Sequence, residues 1–591
     1  MKIDRRDLLK TLGSTTVAAS LAGILPELGP AQTAPPASGR QHAPERLLES
    51  EPHLTLNDNG EATLEWETVV PTQGAIVYLG IPNDEVTLDW PIYNSSLAVP
   101  ERDGPTRQHK ATLDIRSWAT RSAARLLFSG GVLAYRLEIV DPRKPAVQFI
   151  DRQFHFHVEN DKFRLGLNLV EGPFLTAVDK NSVTVWWVTD KPSRGEVRLA
   201  DGRVIESDRK SALRHVVRVT GLEPGQSYRY SVVAQTSDSE VSSRSWRLRT
   251  APANTEFSFV FTCDGRTGGL GGGDAALEGI NGSSARALAM QMARHEPHFF
   301  VFTGDLINGY TSREDDFRAQ LRSWKRLYGP LWHQVPIYTG MGNHESLLDY
   351  FDNGTQADKQ GDQSAEAVFA SEFVHPTNGP EPERPGLPPY KGAVYSFDYA
   401  GCHFVQLNSD YWYSNDSRLG NQFGRLLPGQ LEWFEKDLEQ ARRAGPSHIF
   451  VFVHEPAFPN GGHTEDSLWD GGRPEGVAAR DRFWTAATRA GVTAVFSGHE
   501  HNYSRTLIDA ATPASPDHAP NVAFSKPTWQ VIQGAAGAPF YPRNFAVPWR
   551  DAVKKFVAHT WSYCHIQVRG SEVHLDTYSY TGELLDQAQL A

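Results

Sequence analysis

"HFFVFTGD" (298–305) is the stretch whose reading decides the fold. Phe299 to Phe302 form an apolar run with no polar alternation, the pattern of a short strand buried on both faces. Gly304 breaks the run, and Asp305 stands where the strand's carboxyl end would be. The same grammar recurs on either side. "FSFVFT" (257–262) leads to Asp264, and "VPIYTGMGN" (335–343) ends on Asn343, with His344 next. "HFVQLNSD" (403–410) is a further run, "HIFVFVHE" (448–455) delivers His454, and "TAVFSGHE" (493–500) delivers His499, with His501 two residues on. Amphipathic segments lie between the runs. In "PGQLEWFEKDLEQARRAG" (428–445) a proline opens the helix, a glycine closes it, and Leu431, Phe434, Leu438 and Ala441 share a stripe. Strands alternating with helices predict an α/β domain over 253–591. "WQVIQGAAGAPF" (529–540) and "CHIQVRGSEVHLDTYSYTG" (564–582) return to strands near its end, and 352–392 reads as a Pro-, Gly- and Glu-rich surface loop.

Ahead of this domain the text is all-β. "ATLEWETVVPTQGAIVYL" (62–79) aligns without gaps on "VTVWWVTDKPSRGEVRLA" (183–200), matching Trp66 to Trp187, Thr68 to Thr189, Pro71 to Pro192 and Gly74 to Gly195. "YRLEIV" (135–140) likewise answers "YRYSVV" (228–233). Each copy is long enough for a two-sheet sandwich, and the tryptophans read as core residues. The copies resemble fibronectin type III modules, spanning 47–158 (the more divergent) and 159–252. The fold class expected is therefore multidomain: two all-β sandwiches, then the α/β domain.

Residues 1–31 read as an export signal, with paired Arg5 and Arg6 resembling the bacterial twin-arginine type, and 32–46 as a polar linker. The expected location is periplasmic or secreted, with no transmembrane anchor. A formal charge of -12 without a basic stripe argues against a nucleic-acid partner. Cys263, Cys402 and Cys564 are too few for a disulfide framework and read as buried thiols, with one disulfide left open.

In α/β sheets ligands gather beyond the carboxyl ends of strands. Asp264, Asp305, Asn343, His454, His499 and His501 would therefore meet there. Carboxylate oxygens and imidazoles suit iron, manganese or zinc, and one aspartate can bridge two ions. The set resembles the calcineurin-like metallophosphoesterases over roughly 255–591, and "GHEHNYSRT" (498–506) and "YSFDYAGCHFVQLNSD" (395–410) look like the purple acid phosphatase branch. The resemblance implies a two-sheet sandwich flanked by helices, and hydrolysis of small phosphate monoesters by a metal-bound hydroxide. It implies that Asp305 bridges two ions. Asn343, His454 and His499 would complete one site, Asp264 and His501 would serve the other, and His344 would assist at the substrate.

Two departures stand out. The family's Asp-x-His is "DGR" here, so Arg266 replaces a ligand histidine, and Asn308 stands where the purple enzymes place a metal-bound tyrosine, Tyr310 lying two further on. The purple charge-transfer colour should then be absent. Asn308 is a candidate ligand or a loop cap. Arg266 would either bind the substrate phosphate, steadying charge in catalysis, or pair with a carboxylate. The glycines after it, in "GRTGGLGGGD" (265–274), lack the lysine of a nucleotide-binding loop. His463 is a candidate substrate contact or a solvated histidine, while Glu345, Glu455 and Glu500 should sit behind the ligands. A phosphodiesterase acting on nucleotides or phospholipid head groups is the nearest alternative. A cell-surface binding protein with a degenerate centre is the non-catalytic one, and the sandwiches would suit such surface association.

Overall fold

The repeated segment forms a stretch of chain that changes sheets halfway along. Glu61–Thr72 pairs antiparallel with His53–Leu56 and Thr106–Asp114, whereas Gly74–Ile81, its continuation, pairs with Ile92–Pro100 and Gly131–Val140. The second copy does this within one strand. Ser182–Leu199 pairs first with Leu169–Thr176 and Ala212–Thr220, then with Val204–Glu206 and Ser227–Gln235. Pro71 and Pro192 lie at the transfer points, where a residue without an N–H costs the ladder least. Both copies bury a tryptophan–histidine stack beside that point. Trp66 lies on His109 and Trp187 on His215, with ring centroids 5.4 and 5.0 Å apart. Thr72 Oγ1 and Ser193 Oγ, at matching positions, each lie 3.0 Å from the histidine Nε2. The tryptophans are core residues, as expected.

Gly195 is required by this packing. A Cβ there would lie 2.4 Å from His215 Nδ1 and 2.7 Å from the Trp187 ring. Gly195→Ala is expected to destabilise this sandwich by about 2 kcal/mol, read as a lower thermal midpoint of tryptophan fluorescence in the full chain.

The computed structural model describes residues 46–83, 88–101, 103–143, 147–208, 210–266, 275–311, 313–345, 363–413 and 424–591. The export segment, the linker up to residue 45, most of the glycine loop after Arg266, and 352–362 of the insertion lie outside the described residues. Residues 46–166 form one compact unit and 167–591 a second. The first ends later than the 158 read from sequence, because Lys162–Leu165 pairs with Val147–Glu159. No helix among the described residues is long and apolar enough to cross a membrane.

Within the second unit the sandwich over 167–250 is packed firmly on the α/β part. Phe174 stacks on Trp332 at 4.5 Å, Trp332 Nε1 donates to Leu175 O (2.8 Å), and Tyr230 OH donates to His333 O (2.7 Å). Lys325, fully buried, pairs with Glu171 (2.6 Å) and Glu372 (2.7 Å). Glu372 ends the helix Ala365–Glu372, inside the insertion read as a surface loop. That reading is corrected over 363–392. Phe369, Phe373 and Tyr390 are buried there, and Thr176 Oγ1 donates to Val374 O (2.9 Å). The aromatic residues outweigh the Pro and Gly content.

The α/β part holds two facing sheets. One runs Ile337–Gly340, Phe299–Thr303, Glu256–Thr262, Ser562–Arg569, Glu572–Ser579, Leu584–Gln589, its first three strands parallel. The other runs Tyr395–Tyr399, Cys402–Gln406, Ile449–Phe452, Ala494–Ser497, Thr528–Gln533, Tyr503–Ile508, Val553–Val557, with the second to fifth parallel. Phenylalanines fill the space between: Phe259 lies 5.1 Å from Phe299, 5.6 Å from Phe404 and 5.4 Å from Phe450. Pro428–Ala444 covers the second sheet through Leu431, Phe434, Leu438 and Ala441, and Gly445 closes it at φ 73. All three cysteines are free and buried.

His403, on the strand Cys402–Gln406, sits between Asp398 (2.7 Å) and Asp437 (2.9 Å). Burial disfavours its charge, but the two carboxylates outweigh it and lift the imidazole to about 9. A raised folded value stabilises fully below the unfolded value of about 6.5 and is lost as pH climbs through 9. His403→Gln should therefore lower the melting temperature more at about pH 6 than at about pH 10.

Candidate metal centre

The parallel strands of both sheets end at one place. Asp264 follows Glu256–Thr262, Asp305 follows Phe299–Thr303, and Asn343 and His344 follow Ile337–Gly340. From the other sheet, His454 follows Ile449–Phe452, and His499 and His501 follow Ala494–Ser497. Each sheet supplies part of the set. Asp264 (φ 63), Asp305 (φ 52) and His499 (φ 63) adopt left-handed backbone, which costs a non-glycine residue on the order of 1 kcal/mol each. A Cβ on Gly304 would lie 2.3 Å from His454 Nδ1, so the turn before Asp305 needs glycine.

Asp305 is the hub. Its Oδ1 accepts from His344 N (3.2 Å) and lies 3.2 Å from His454 Nε2; its Oδ2 accepts from Arg266 Nε (3.3 Å). Asp264 Oδ2 accepts from His499 N (3.1 Å), and Asp264 Oδ1 lies 3.5 Å from His501 Nε2. The histidine rings are aimed from behind: His454 Nδ1 meets Thr303 O (3.0 Å), His501 Nδ1 meets Pro539 O (2.5 Å) and His344 Nδ1 meets Asn308 O (2.5 Å). With each Nδ1–H donating to a carbonyl, Nε2 of each ring faces inward. Asn343 Nδ2 donates to Tyr310 OH, leaving Asn343 Oδ1 3.1 Å from His499 Nδ1.

Glu345, buried, accepts from Asp305 N, Leu306 N and Gly342 N, each at 2.8 Å, and so ties the Asp305 turn to the Asn343 turn. Glu500 gathers Asn460 N (2.5 Å) and Gly461 N (2.6 Å). Glu455 lies 3.3 Å from His499 Nε2. Glu345 and Glu500 thus hold backbone N–H groups of the turns around the centre, whereas Glu455 faces the His499 Nε2 donor itself.

Burial and the Asp305 charge push Asp264 up to about 7, against the pull of His454 and Arg266. His454 rises to about 10: burial opposes its charge, and Asp305 and Asp264 override it. His344 falls to about 3 and His499 to about 4, both chiefly by burial. Burial thus keeps His344, His499 and His501 neutral, the form that binds metal, whereas Asp466 raises His463.

The residues fit a cation. Asp264 Oδ1, His454 Nε2 and His499 Nε2 are buried without a hydrogen bond among the described residues, an arrangement that calls for a ligand. Asp264, Asp305 and His454 each bring a donor atom within 4.8 Å of the others, as do His463, Asp466 and His499. His463 is therefore part of the site rather than a solvated loop residue, its ring 4.3 Å from His499. Asn308 enters through its backbone carbonyl, which orients His344. Three participants escaped the sequence reading. Asp466 accepts from His463 Nδ1 (2.7 Å), Tyr541 stacks on His501 at 4.3 Å, and Tyr310 holds Asn343 and lies 4.2 Å from the His344 ring. The His463–Asp466 spacing of three was the available signal for the first.

Residues 279–503 match the family described as calcineurin-like phosphoesterase. The chain carries a calcineurin-like phosphoesterase domain. The match takes in every candidate ligand except Asp264, and it begins after Arg266. Residues 167–246, the sandwich ahead of the phosphoesterase domain, match a domain of unknown function, DUF7800. The chain is similar to the serine/threonine-protein phosphatase CPPED1 of Rattus norvegicus, 26% identical over 230 residues, covering 39% of this chain and 62% of that protein. It is similar to purple acid phosphatase 15 of Arabidopsis thaliana, 22% identical over 314 residues, half of each protein. The chain thus spans 62% and 50% of the lengths of these relatives. The fold is that of a solved purple acid phosphatase, PPD1 from yellow lupin (Lupinus luteus) seeds: TM-score 0.53, 14% identity, covering 90% of this chain and 92% of that one.

Proposed function

We propose that the protein is an exported, metal-dependent phosphoesterase that hydrolyses phosphate monoesters. The observation that carries this reading is the convergence of Asp264, Asp305, Asn343, His454 and His499 at the strand ends of a phosphoesterase domain, with Asp264 Oδ1, His454 Nε2 and His499 Nε2 buried and without a hydrogen bond among the described residues. The phosphatase names of its relatives support it.

Asp305 Oδ1, Asn343 Oδ1, His454 and His499 would hold a cation. Bound there, it supplies Lewis acidity, which acidifies water and neutralises phosphate charge. His344 is fixed by Asn308 O, with its Nε2 3.8 Å from Asp305 Oδ2, and would meet the leaving group from there. A phosphate dianion opposite favours its imidazolium, which then donates a proton to the leaving oxygen. Arg266 adds fixed positive charge beside the phosphate. His463, held by Asp466, lies against His499 and would contact the substrate from the other side.

Aryl monoesters should turn over at least about ten-fold faster than aryl diesters, with activity lost on chelation and restored by manganese or zinc. Faster diester cleavage would transfer the reading to a phosphodiesterase, and no turnover with any metal would favour a binding protein. Export through Arg5 and Arg6 belongs to the same proposal. An Arg5→Lys, Arg6→Lys variant should stay inside a bacterial host. Fibronectin type III-like sandwiches and association with the cell surface complete it, checked by cell fractionation.

A further inference from the structure

We propose that Arg266 takes the place of one of the two cations, so that the centre holds a single metal ion and the guanidinium serves as its second positive charge. The inference rests on the metal-dependent reading above and sharpens it.

The sequence already removes two ligands from the site that Asp264 and His501 would serve. The histidine of Asp-x-His is Arg266, and the tyrosine after the bridging aspartate is Asn308. The structure shows what became of both positions. The Asn308 carbonyl is turned to His344 Nδ1, Tyr310 accepts from Asn343 Nδ2, and Tyr541, the phenol on this side, lies with its ring stacked on His501 at 4.3 Å. Arg266 lies where an ion would lie. Its Nε donates to Asp305 Oδ2 at 3.3 Å and its Nη2 to His501 Nε2 at 3.3 Å. These are the lone pairs that an ion shared between Asp305 and His501 would need. Because His501 Nδ1 donates to Pro539 O, Nε2 is the acceptor of the ring, and Arg266 uses it.

Arg266 is 13% exposed, and a guanidinium does not lose its proton in a protein. A second divalent ion there would have to displace the guanidinium from Asp305 Oδ2 and His501 Nε2 and lie against its charge. Asp305 would still serve two cations: its Oδ2 accepts from Arg266, and its Oδ1, beside His454 Nε2, would be left for the metal. The bridging geometry survives with one partner replaced by a side chain.

The test uses the full-length protein, stripped with chelator, dialysed against excess manganese and assayed for metal per chain. Wild type should bind one ion, and manganese should give the paramagnetic resonance spectrum of an isolated ion. Arg266→His, which restores Asp-x-His, should double the ions per chain and give an exchange-coupled spectrum. Arg266→Lys, keeping a cation, should stay at one. Two ions in wild type would overturn the proposal, as would one ion in an Arg266→His protein with native circular dichroism. If Arg266→His does not fold, the wild-type count and spectrum still decide. Well under one ion in wild type would sink the metal-dependent reading itself, an outcome distinct from two.

Discussion

His454→Ala is expected to lower kcat by at least about a thousand-fold, equivalent to about 4 kcal/mol of transition-state stabilisation. His454 is fully buried, its Nδ1 is committed to Thr303 O, and its Nε2 faces Asp305 Oδ1 at 3.2 Å. Asn343→Ala should cost as much, because Asn343 Oδ1 is directed into the site by the Tyr310 hydrogen bond to its amide. Both variants should retain the wild-type far-ultraviolet circular dichroism, since neither side chain belongs to the phenylalanine core. Initial rates on an aryl monoester, at saturating manganese, are the measurement. Activity within about ten-fold of wild type would remove His454 from the reacting centre.

Glu345→Ala should damage stability and metal binding together. The carboxylate accepts three backbone N–H groups at 2.8 Å in a buried position. Removing it strands them, at about 1–3 kcal/mol each, so a total loss of about 4 kcal/mol is expected. All three belong to the turns that present Asp305 and Asn343, so the bridging carboxylate and the amide ligand lose their spacing at once. Glu345→Gln keeps an acceptor oxygen and should recover part of the loss. Thermal midpoint and metal content, measured on the same samples, should fall in step. A Glu345→Ala protein that melts normally and binds metal normally would show that the turns hold themselves.

What the sequence made legible follows from what is local. The strand runs were readable because each is a short apolar stretch closed by Gly or a polar turn residue, as at Phe299–Thr303 before Gly304. The ligand residues were readable because α/β topology sends all such strand ends to one place. The sandwich repeat was readable from Trp66 and Trp187, whose matched histidine stacks confirm that the copies share a packing plan. Long-range packing was not readable. Nothing near Lys325 announces that it would be buried between Glu171 and Glu372, and the aromatic residues of the insertion were masked by its Pro and Gly. Asp466 and Tyr541 meet the centre through loops whose path depends on Glu500 and on the strand Thr528–Gln533, so their spacing in the chain carries little signal. His463 looked solvated for the same reason.

The central claim is that Asp305, Asn343, His454 and His499, far apart in the chain, hold a cation at the ends of two facing sheets. Anomalous scattering from manganese-soaked crystals tests it most directly. The account predicts a peak within about 2.5 Å of donor atoms from Asp305, Asn343, His454 and His499. A map with no peak there, at saturating manganese and with those side chains ordered, would contradict it.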